Sequence, residues 1–523
     1  MTWDAIVVGS GFGGAMAAHA LVNAGHRVLM LERGGWVGRG PDNWGARRAG
    51  LVTPHYTMDS PYEVTAGRRR YKAGSWHCVG GQSVFYGGAS YRFRERDFEH
   101  HEGIVGDSGA AWPFRYPDIE PFYTNAEWLL GVAGETGRDP TEPARSAPYP
   151  QRPAPLSRSA QRISDAAGRL GLTPARIPLA ISYGANGTRR GCIQCGTCDG
   201  YACAAEAKND LATGIIPDLM QQGLTLATNT VCVRLVRTGS RITGVECVNC
   251  VTRERETLTA RLVVLGAGAL ATPQLLHASH LASVNPAGGA VGRYLTRHRN
   301  AVVFGVYGRR PNPSGEFDKQ VAIFDFYDVA GCIQQMTPPA GLVRASLSPI
   351  LRTPAAMVLS HASGLLVIAE DQPRRENGVA VDWSARDQYG LPRLRVDHHY
   401  TARDEEAAAL LIAHAKRVLR ESGARFTFVQ PIESFSHALG TVRMGLDDRT
   451  APLDEHGRFR GLDNLYVVDG SALPRSAGVN PSLTIAANAL RIGTYLARSA
   501  QPTCGRTRRV LPVRHNLLTP STQ

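Results

Sequence analysis

A glycine-rich run near the N terminus has the residue types and spacing to bind a dinucleotide. The run, Gly9-Ser10-Gly11-Phe12-Gly13-Gly14, lies between the apolar segment Asp4 to Val8 and an alanine-rich segment that ends at Gly25. Glycines in this pattern form a tight turn and let the backbone approach a pyrophosphate at the start of a helix. Glu32 follows about twenty residues later, where a carboxylate accepts hydrogen bonds from ribose hydroxyls.

A cluster of four cysteines is the most unusual local pattern in the chain. Its members are Cys192, Cys195, Cys198 and Cys203. Their spacing, C-x2-C-x2-C-x4-C, is close to a ferredoxin-type run and also fits a zinc knuckle. Structural thiols or a disulfide are the third interpretation, and the sequence leaves all three open. Cys247 and Cys250 lie on a predicted strand with side chains on opposite faces, so we interpret them as structural.

A histidine in the C-terminal part has a side chain suited to proton transfer, and an asparagine further along the chain has an amide suited to hydrogen bonding. An imidazole titrates near neutral pH, which suits a general base. His437 follows an apolar and aromatic stretch and precedes the Gly440-Thr441 turn, a setting that would hold its ring rigidly. In Asn480-Pro481, the asparagine is predicted to cap a helix whose first residue is the proline.

Buried strands that alternate with helices are predicted to position these groups. Asp4 to Val8, Arg261 to Leu265 and Leu465 to Val468 are apolar runs that end in a glycine turn or at Asp469. We expect them to form one parallel sheet. Strand-like pieces and the amphipathic helix Thr401 to Ser422 predict a second, antiparallel domain. The pieces are Ala301 to Phe304, Val321 to Phe324, Ala356 to Leu359 and Leu365 to Ile368.

The predicted fold is α/β, with a Rossmann-like parallel-sheet nucleotide domain interleaved with an α+β antiparallel-sheet substrate domain. The nucleotide domain is assigned residues 1–100, 190–300 and 455–500, and the substrate domain residues 101–189 and 301–454. Residues 501–523 are predicted to be a mobile tail. Residues 35–75 are predicted to be irregular, and Thr225 to Arg237 is predicted to pair with Arg241 to Val251.

Composition and charge argue against several other classes of protein. The net charge of +13 comes almost entirely from scattered arginines, since only four of the 58 basic residues are lysine. This distribution predicts no stripe for nucleic acid. No apolar run reaches transmembrane length and the first strand leaves no room for a signal peptide, so we expect a cytoplasmic protein without a membrane partner. The oligomeric state is left open.

The chain resembles the glucose–methanol–choline (GMC) oxidoreductases along nearly its whole length. The resemblance is carried by the N-terminal glycine run with Glu32, Gly80 to Ser83, Gly268 to Pro273, Ser436 to Gly445, Asp469 to Ser471 and Gly478 to Thr484. It implies bound FAD and oxidation of an alcohol to a carbonyl by hydride transfer to flavin N5, with His437 as base and Asn480 as its partner. The implied cofactor-binding residues are Gly9, Gly11, Phe12, Gly13, Gly14, Glu32, Arg33, Gly81, Ser83, Tyr86, Gly87, Cys232, Gly266, Ala267, Asp469, Gly470, Asn480, Pro481 and Ser482.

Two departures from the family pattern refine these expectations. The second family signature usually continues with Ser-Gly, whereas this chain has Ser279-His280. Tyr86 stands where many relatives have asparagine and is similar to the pyranose-oxidising branch. In that branch a histidine one position earlier can link covalently to FAD, and Phe85 at that position predicts non-covalent FAD. Some sugar dehydrogenases of the family hold an iron–sulfur cluster in a region comparable to the four-cysteine cluster.

Tyr86 and the Cys198-Asp199-Gly200 loop favour a sugar or a glycoside as the substrate, and the resemblance adds an aminoglycoside-type alcohol of antibiotic biosynthesis. Aliphatic alcohols and sterols are the alternatives, together with a non-redox reaction like that of the family's hydroxynitrile lyases. A redox relay centred on the four-cysteine cluster is a third hypothesis. No motif in the sequence indicates the electron acceptor. The expected acceptor is therefore O2 or another oxidant.

Overall fold

The computed structural model of this chain describes residues 2–40, 56–66, 68–184, 190–336 and 348–499. The tail predicted at residues 501–523 lies outside this part of the chain. None of the helices in the described ranges is both long and apolar enough to cross a membrane. These helices are Phe12–Asn23, Glu102–Val105, Tyr116–Leu130, Arg158–Arg169, Ile215–Gln221, Ala271–Ala278, Pro349–Ser360, Ala402–Glu421 and Ser482–Ser499.

The N-terminal apolar segment is the central strand of a five-stranded parallel sheet, as the sequence predicts. Trp3–Val8 is buried along nearly its whole length and pairs in parallel with strands on both sides. Continuous apolar strands of this kind form where helices cover both faces of a sheet. The helices Phe12–Asn23 and Ser482–Ser499 pack against each other closely. The strand order is Leu465–Val467, Ala260–Leu265, Trp3–Val8, Val28–Leu31 and Thr225–Ala227.

A six-stranded antiparallel sheet forms the core of the second region, which confirms the predicted α+β architecture. The helix Ala402–Glu421 packs on one face of this sheet through alanine, leucine and valine side chains. Thr401 caps that helix, because its hydroxyl accepts from the Asp404 backbone N–H while the Asp404 carboxylate accepts from the Thr401 N–H. The strand order is Phe426–Pro431, Arg299–Val306, Ala362–Ala369, Gly331–Met336, Val321–Ile323 and Pro174–Arg176.

Two smaller sheets correct the irregular structure expected for residues 56–66 and 68–75 and confirm the hairpin turn expected at Gly239-Ser240, while residues 41–55 lie outside the described part of the chain. Tyr56–Ala66 and Arg69–Trp76 are strands, and they join a four-stranded sheet with Gly378–Arg386 and Pro392–His398. The predicted irregularity was wrong here because charged side chains on a half-exposed sheet hide the apolar alternation. In the predicted hairpin, Thr225–Ala227 instead joins the parallel sheet. The three-stranded antiparallel sheet contains Thr230–Thr238, Arg241–Asn249 and Arg255–Leu258.

The strand predicted at Ala356 to Leu359 was also wrong, because these residues lie in the helix Pro349–Ser360. A short apolar run does not by itself distinguish a strand from a helix. Pro349 is the first residue of the helix, a position that proline favours because it needs no N–H partner there. The neighbouring prediction at Leu365 to Ile368 is confirmed by the strand Ala362–Ala369.

Candidate active site

The glycine run forms a tight turn between the first strand and the first helix. Gly9 has a φ of +97°, in the left-handed region that favours glycine. A Cβ on Gly14 would overlap the carbonyl oxygen of Gly9, so glycine is required for this close packing. Gly11 differs, because a Cβ there would meet no protein atom within 4 Å. The backbone at Gly11 therefore faces open space, as a pyrophosphate site requires.

The first helix begins beside a cavity of about 550 Å³. Gly11 is its N-cap and makes no side-chain capping bond, so N–H groups at this end remain available to an anion. The cavity is lined by many of the residues predicted to bind the cofactor. They are Gly9, Gly11, Phe12, Gly13, Glu32, Arg33, Gly81, Ser83, Cys232, Gly266, Ala267, Asp469 and Gly470. This lining fits the dinucleotide that the glycine run predicts.

Glu32 is buried at the end of the second strand, and both of its carboxylate oxygens are held by the protein. Its Oε2 accepts from the Ser10 hydroxyl at 2.6 Å, and its Oε1 accepts from the Gly34 backbone N–H at 2.9 Å. Burial raises the pKa of Glu32, while these hydrogen bonds favour the charged form. The carboxylate is thus held against the cavity wall at the position expected for ribose recognition.

The loop Gly80 to Gly88 closes one side of the cavity. The Gly80 backbone N–H donates to the Ser10 hydroxyl oxygen at 2.9 Å, which joins this loop to the N-terminal turn. Tyr86 does not line the cavity; its ring packs edge-on against Phe12 and its hydroxyl donates to the Asn209 carbonyl. Gly87 also lies outside the lining. Phe85 is buried and stacks on Trp76 with ring centroids 4.0 Å apart.

Asp469 is buried at the carboxyl end of the strand Leu465–Val467, and its side chain organises the neighbouring loops. Its Oδ2 accepts from the Gly268 N–H and the Thr272 hydroxyl, and its Oδ1 accepts from the N–H and hydroxyl of Ser471. Burial raises the pKa of this carboxyl, and the four hydrogen bonds oppose that effect. Asp469 therefore shapes the cavity by joining two loops of the parallel sheet.

A hairpin from the C-terminal half, which no sequence motif indicated, reaches the same cavity. Arg386, Asp387, Gln388 and Arg393 line the cavity from this hairpin. The Asp387 carboxylate lies 3.8 Å from the Arg33 guanidinium, beside the end of the second strand. The end of the cavity next to Glu32 is thus enclosed by strands that lie more than 300 residues apart in the sequence.

The structure brings His437 and Asn480 together. Asn480 Nδ2 lies 3.4 Å from His437 Nε2, and Asn480 Oδ1 accepts from Gln334 Nε2 at 2.9 Å. The predicted capping role of Asn480 was wrong: the helix begins at Ser482, and the Pro481 carbonyl accepts the Ile485 N–H. Neither Asn480 nor His437 lines the 550 Å³ cavity, but Ser436 and Ala438 do, which puts His437 at its edge.

The remaining predicted cofactor residues lie at the start of the first helix and at the start of the helix Ser482–Ser499. Gly14, Pro481 and Ser482 lie outside the cavity lining. The Ser482 hydroxyl donates to the Ala89 carbonyl at 3.1 Å, which fixes this helix end against the Gly80 to Gly88 loop.

Four further side chains near His437 were not identified from the sequence. His298 Nδ1 lies 3.1 Å from His437 Nδ1, and Gln334 contacts Asn480. Lys319 and Asp199 form an ion pair of 2.6 Å that packs on the backbone of Gly87. Burial lowers the pKa of His437 well below its ordinary value, with help from His298, Lys319 and Arg297. His437 is therefore a neutral imidazole at neutral pH.

The four-cysteine cluster does not have the geometry of a metal site. Cys192, Cys195, Cys198 and Cys203 are free thiols. In the described ranges, no three His, Cys, Asp or Glu side chains converge as a metal ligand set would. The segment instead wraps around the buried Lys208, whose ammonium donates to the carbonyls of Tyr86, Cys198 and Tyr201. The iron–sulfur and zinc alternatives therefore do not fit these residues.

The glycine turn and the buried carboxylate of Glu32 form a cavity suited to a dinucleotide, with the His437–Asn480 pair at its edge. Comparison with known proteins shows the family to which this chain belongs. GMC oxidoreductase models match residues 4–300 and 373–489. Paromamine 6'-oxidase of Streptomyces fradiae is 30% identical over 519 residues, covering 95% of this chain and 91% of that protein. The 6'''-hydroxyparomomycin C oxidase of Streptomyces lividus is 30% identical with the same coverage.

Solved structures support the same fold. Pyridoxine 4-oxidase from Mesorbium loti superposes with a TM-score of 0.68 and 19% identity, covering 95% of this chain and 99% of that one. The chain belongs to the GMC oxidoreductase family and is an FAD-dependent alcohol oxidoreductase.

Proposed function

We propose that this enzyme oxidises a hydroxyl group of a sugar, a glycoside or an aminoglycoside-type alcohol, with His437 as the base. The observation that carries the proposal is the pairing of His437 Nε2 with Asn480 Nδ2 at 3.4 Å, inside a polar and charged surrounding. Oxidation of an alcohol requires that the hydroxyl proton leave while hydride leaves the carbinol carbon. A neutral imidazole beside an amide donor suits the first of these tasks.

The proposed roles follow from the chemistry of the side chains. His437 accepts the hydroxyl proton at Nε2, and its lowered pKa keeps the ring neutral, and so able to accept a proton, at neutral pH. The Asn480 amide donates to the substrate oxygen and orients it, while Gln334 fixes the direction of the amide. FAD supplies the hydride acceptor, flavin N5.

The polar surrounding of His437 favours a polyhydroxylated or amine-bearing substrate over a sterol or an aliphatic alcohol. In the described part of the chain, Gln334 Oε1 and Asp199 Oδ2 are buried without a hydrogen-bond partner. Buried acceptors of this kind need donors, which sugar hydroxyls or ammonium groups would supply. The two relatives at 30% identity are named as oxidases of paromamine and of 6'''-hydroxyparomomycin C, which supports the same class.

The proposal also covers the way FAD is bound, the type of reaction, the electron acceptor and the location of the protein. Non-covalent FAD is supported by Phe85, because a phenyl ring stacked on Trp76 offers no nucleophile. The relatives named as oxidases favour redox chemistry over the hydroxynitrile-lyase alternative. O2 or another oxidant as electron acceptor, the cytoplasmic location and the absence of a nucleic-acid partner stay predictions.

The decisive experiment follows the visible flavin band of the purified enzyme under anaerobic conditions. The panel contains sugars, aminoglycosides, aliphatic alcohols and sterols. We expect bleaching by a sugar or an aminoglycoside, and readmitted air would then separate an oxidase from a dehydrogenase. Bleaching by sterols alone would overturn the proposed substrate class.

The role of His437 is tested by its replacement with alanine. Removal of a general base lowers the rate of flavin reduction by about 10²–10⁴-fold. His100→Ala is the matched control, because the His100 side chain is exposed, lies 3.0 Å from the Glu102 carboxylate and does not line the cavity. Normal flavin reduction in His437→Ala, with bound FAD, would exclude His437 as the base.

A further inference from the structure

His298 lies between a backbone carbonyl and His437. Its Nε2 is 2.9 Å from the Ser476 carbonyl oxygen, and its Nδ1 is 3.1 Å from Nδ1 of His437. The two rings are nearly perpendicular, at 87°. His298 is fully buried, and burial lowers its pKa, so this ring carries a single N–H at neutral pH.

The Ser476 carbonyl determines which nitrogen of His298 carries that hydrogen. A carbonyl oxygen only accepts hydrogen bonds, so Nε2 of His298 must be the donor. In a neutral imidazole the other nitrogen is then an acceptor. Nδ1 of His298 therefore presents a lone pair to His437, and His437 must carry its hydrogen on Nδ1.

The tautomer of His437 determines how the amide side chains of Asn480 and Gln334 are oriented. With its hydrogen on Nδ1, neutral His437 has a lone pair on Nε2, which faces the Asn480 amide at 3.4 Å. One N–H of Asn480 Nδ2 faces this lone pair across the 3.4 Å contact and yields it to a substrate hydroxyl, and Asn480 Oδ1 accepts from Gln334 at 2.9 Å. The series runs from the Ser476 carbonyl through His298, His437 and Asn480 to Gln334. Each N–H in it meets an acceptor on the preceding residue. The orientation of the whole series follows from one backbone carbonyl.

The backbone around His298 is held in an uncommon conformation that keeps its ring in place. His298 has a φ of +64°, a left-handed geometry that is rare for residues other than glycine. The Asp371 carboxylate accepts the backbone N–H groups of Arg297 and His298, each at 2.9 Å. Tyr400 donates to the His298 carbonyl. Local strain retained in this way is common at functional sites.

Several charged and titratable groups surround the pair formed by His298 and His437. Asp371 receives hydrogen bonds from the Ser476 hydroxyl and from His398. Glu370 is paired with Arg475, and Arg297 and Lys319 approach His437. The carboxylates of Asp371 and Glu370 act on His298 to favour a positive charge there.

We infer that His298 is a positioning residue that holds His437 in the Nδ1–H tautomer and so keeps the Nε2 lone pair available for the substrate hydroxyl proton. The inference rests on the proposed role of His437 as base. After proton transfer, His437 is an imidazolium that keeps its Nδ1–H bond to His298, so the ring does not turn during the reaction. Without this bond, His437 is free to adopt the Nε2–H tautomer, which cannot accept a proton at that atom.

The inference is tested by 15N NMR of histidine-labelled, FAD-loaded enzyme, in which two-bond couplings distinguish the tautomers. His437→Gln identifies the signals of His437. We expect the Nδ1–H tautomer in the unaltered enzyme. His298→Leu should convert His437 to Nε2–H and slow flavin reduction at saturating substrate by about 10²–10⁴-fold, with little change in substrate affinity.

His298→Asn is the conservative control, because asparagine tolerates a left-handed backbone and can present an acceptor near the position of Nδ1. We expect it to keep the Nδ1–H tautomer and most of the reduction rate. An Nε2–H tautomer in the unaltered enzyme would overturn the inference, as would an unchanged tautomer in His298→Leu. Normal flavin reduction in His437→Ala would instead remove the proposed function while leaving the tautomer result intact.

Discussion

The hydroxyl of Ser10 donates to Glu32 Oε2 at 2.6 Å and accepts the Gly80 backbone N–H at 2.9 Å. One side chain thus joins the N-terminal glycine turn, the second strand and the Gly80 to Gly88 loop. Because Glu32 is buried, this contact also compensates part of the cost of removing its carboxylate from water. Hydrogen bonds within the protein therefore hold this wall of the cofactor cavity together.

The first prediction concerns the carboxylate of Glu32. Glu32→Gln keeps the size of the side chain but removes its charge, so hydrogen bonds to ribose hydroxyls weaken. A charge-assisted hydrogen bond contributes about 1.5–3 kcal/mol, so we expect the Kd for FAD to rise by about 10–100-fold. Flavin fluorescence during titration of the apoprotein measures this change. Glu406→Gln, on an exposed helix face, is the control and should bind FAD normally.

The second prediction contrasts two glycines of the same turn. At Gly11, with an ordinary φ of −69°, an added Cβ meets no protein atom, so Gly11→Ala should leave the melting temperature of the apoprotein unchanged. The same methyl group would stand in the pyrophosphate path and weaken FAD binding at least about tenfold. At Gly14 a Cβ overlaps the Gly9 carbonyl oxygen, so Gly14→Ala should cost about 3 kcal/mol of stability with or without FAD.

Thermal unfolding with and without excess FAD separates the two effects. A loss of apoprotein stability in Gly11→Ala would contradict the interpretation of the open space beside it. Normal stability in Gly14→Ala would show that the strand and the helix can move apart.

The parallel sheet and its cofactor cavity were predictable because their signals are local. In the N-terminal run, the strand, the glycines, the helix and Glu32 occur within about thirty residues in the order that the chemistry requires. Asp469 was likewise visible as an acid that directly follows a buried strand. These motifs are contiguous in the chain, so residue type and spacing were sufficient.

The surroundings of His437 were not predictable, because they come from distant segments that carry no motif. His298 precedes the strand Arg299–Val306, Lys319 lies in a loop, and Gln334 is on another strand of the same sheet. Asp199 belongs to the cysteine segment, whose spacing suggested metal ligation. The arrangement of these side chains depends on how the sheets pack, and no spacing in the sequence encodes that packing.

The third prediction concerns Lys208, which is fully buried inside the cysteine segment. Its ammonium donates to three backbone carbonyls at 2.7–2.9 Å, and one of them belongs to Tyr86. Lys208→Met would leave these carbonyls without their donor, so we expect a loss of about 3–5 kcal/mol in stability. Chemical denaturation measures this loss. Lys416→Met, on the helix Ala402–Glu421, is the control and should change stability by less than about 0.5 kcal/mol.

The last prediction concerns the pH dependence of flavin reduction. Burial, His298, Lys319 and Arg297 lower the pKa of His437, and the neutral ring is the active form. The rate should therefore stay constant as the pH falls through 6.5 and decline only at lower pH, when His437 becomes protonated. Lys319→Met removes a positive charge and leaves Asp199 unpaired, so the pKa of His437 rises and the decline moves to higher pH, by up to about one unit.

Asp199→Asn should have the opposite effect, because it leaves the positive charge of Lys319 uncompensated and lowers the pKa of His437 further. The double variant removes both charges and should return the acid limb close to that of the unaltered enzyme. Stopped-flow flavin reduction at saturating substrate between pH 4.5 and 8, a range chosen to span the ordinary histidine pKa of about 6.5, measures all three. If both single variants moved the limb in the same direction, the ion pair would not set the charge of His437, and a change in the position of its ring would have to explain the result.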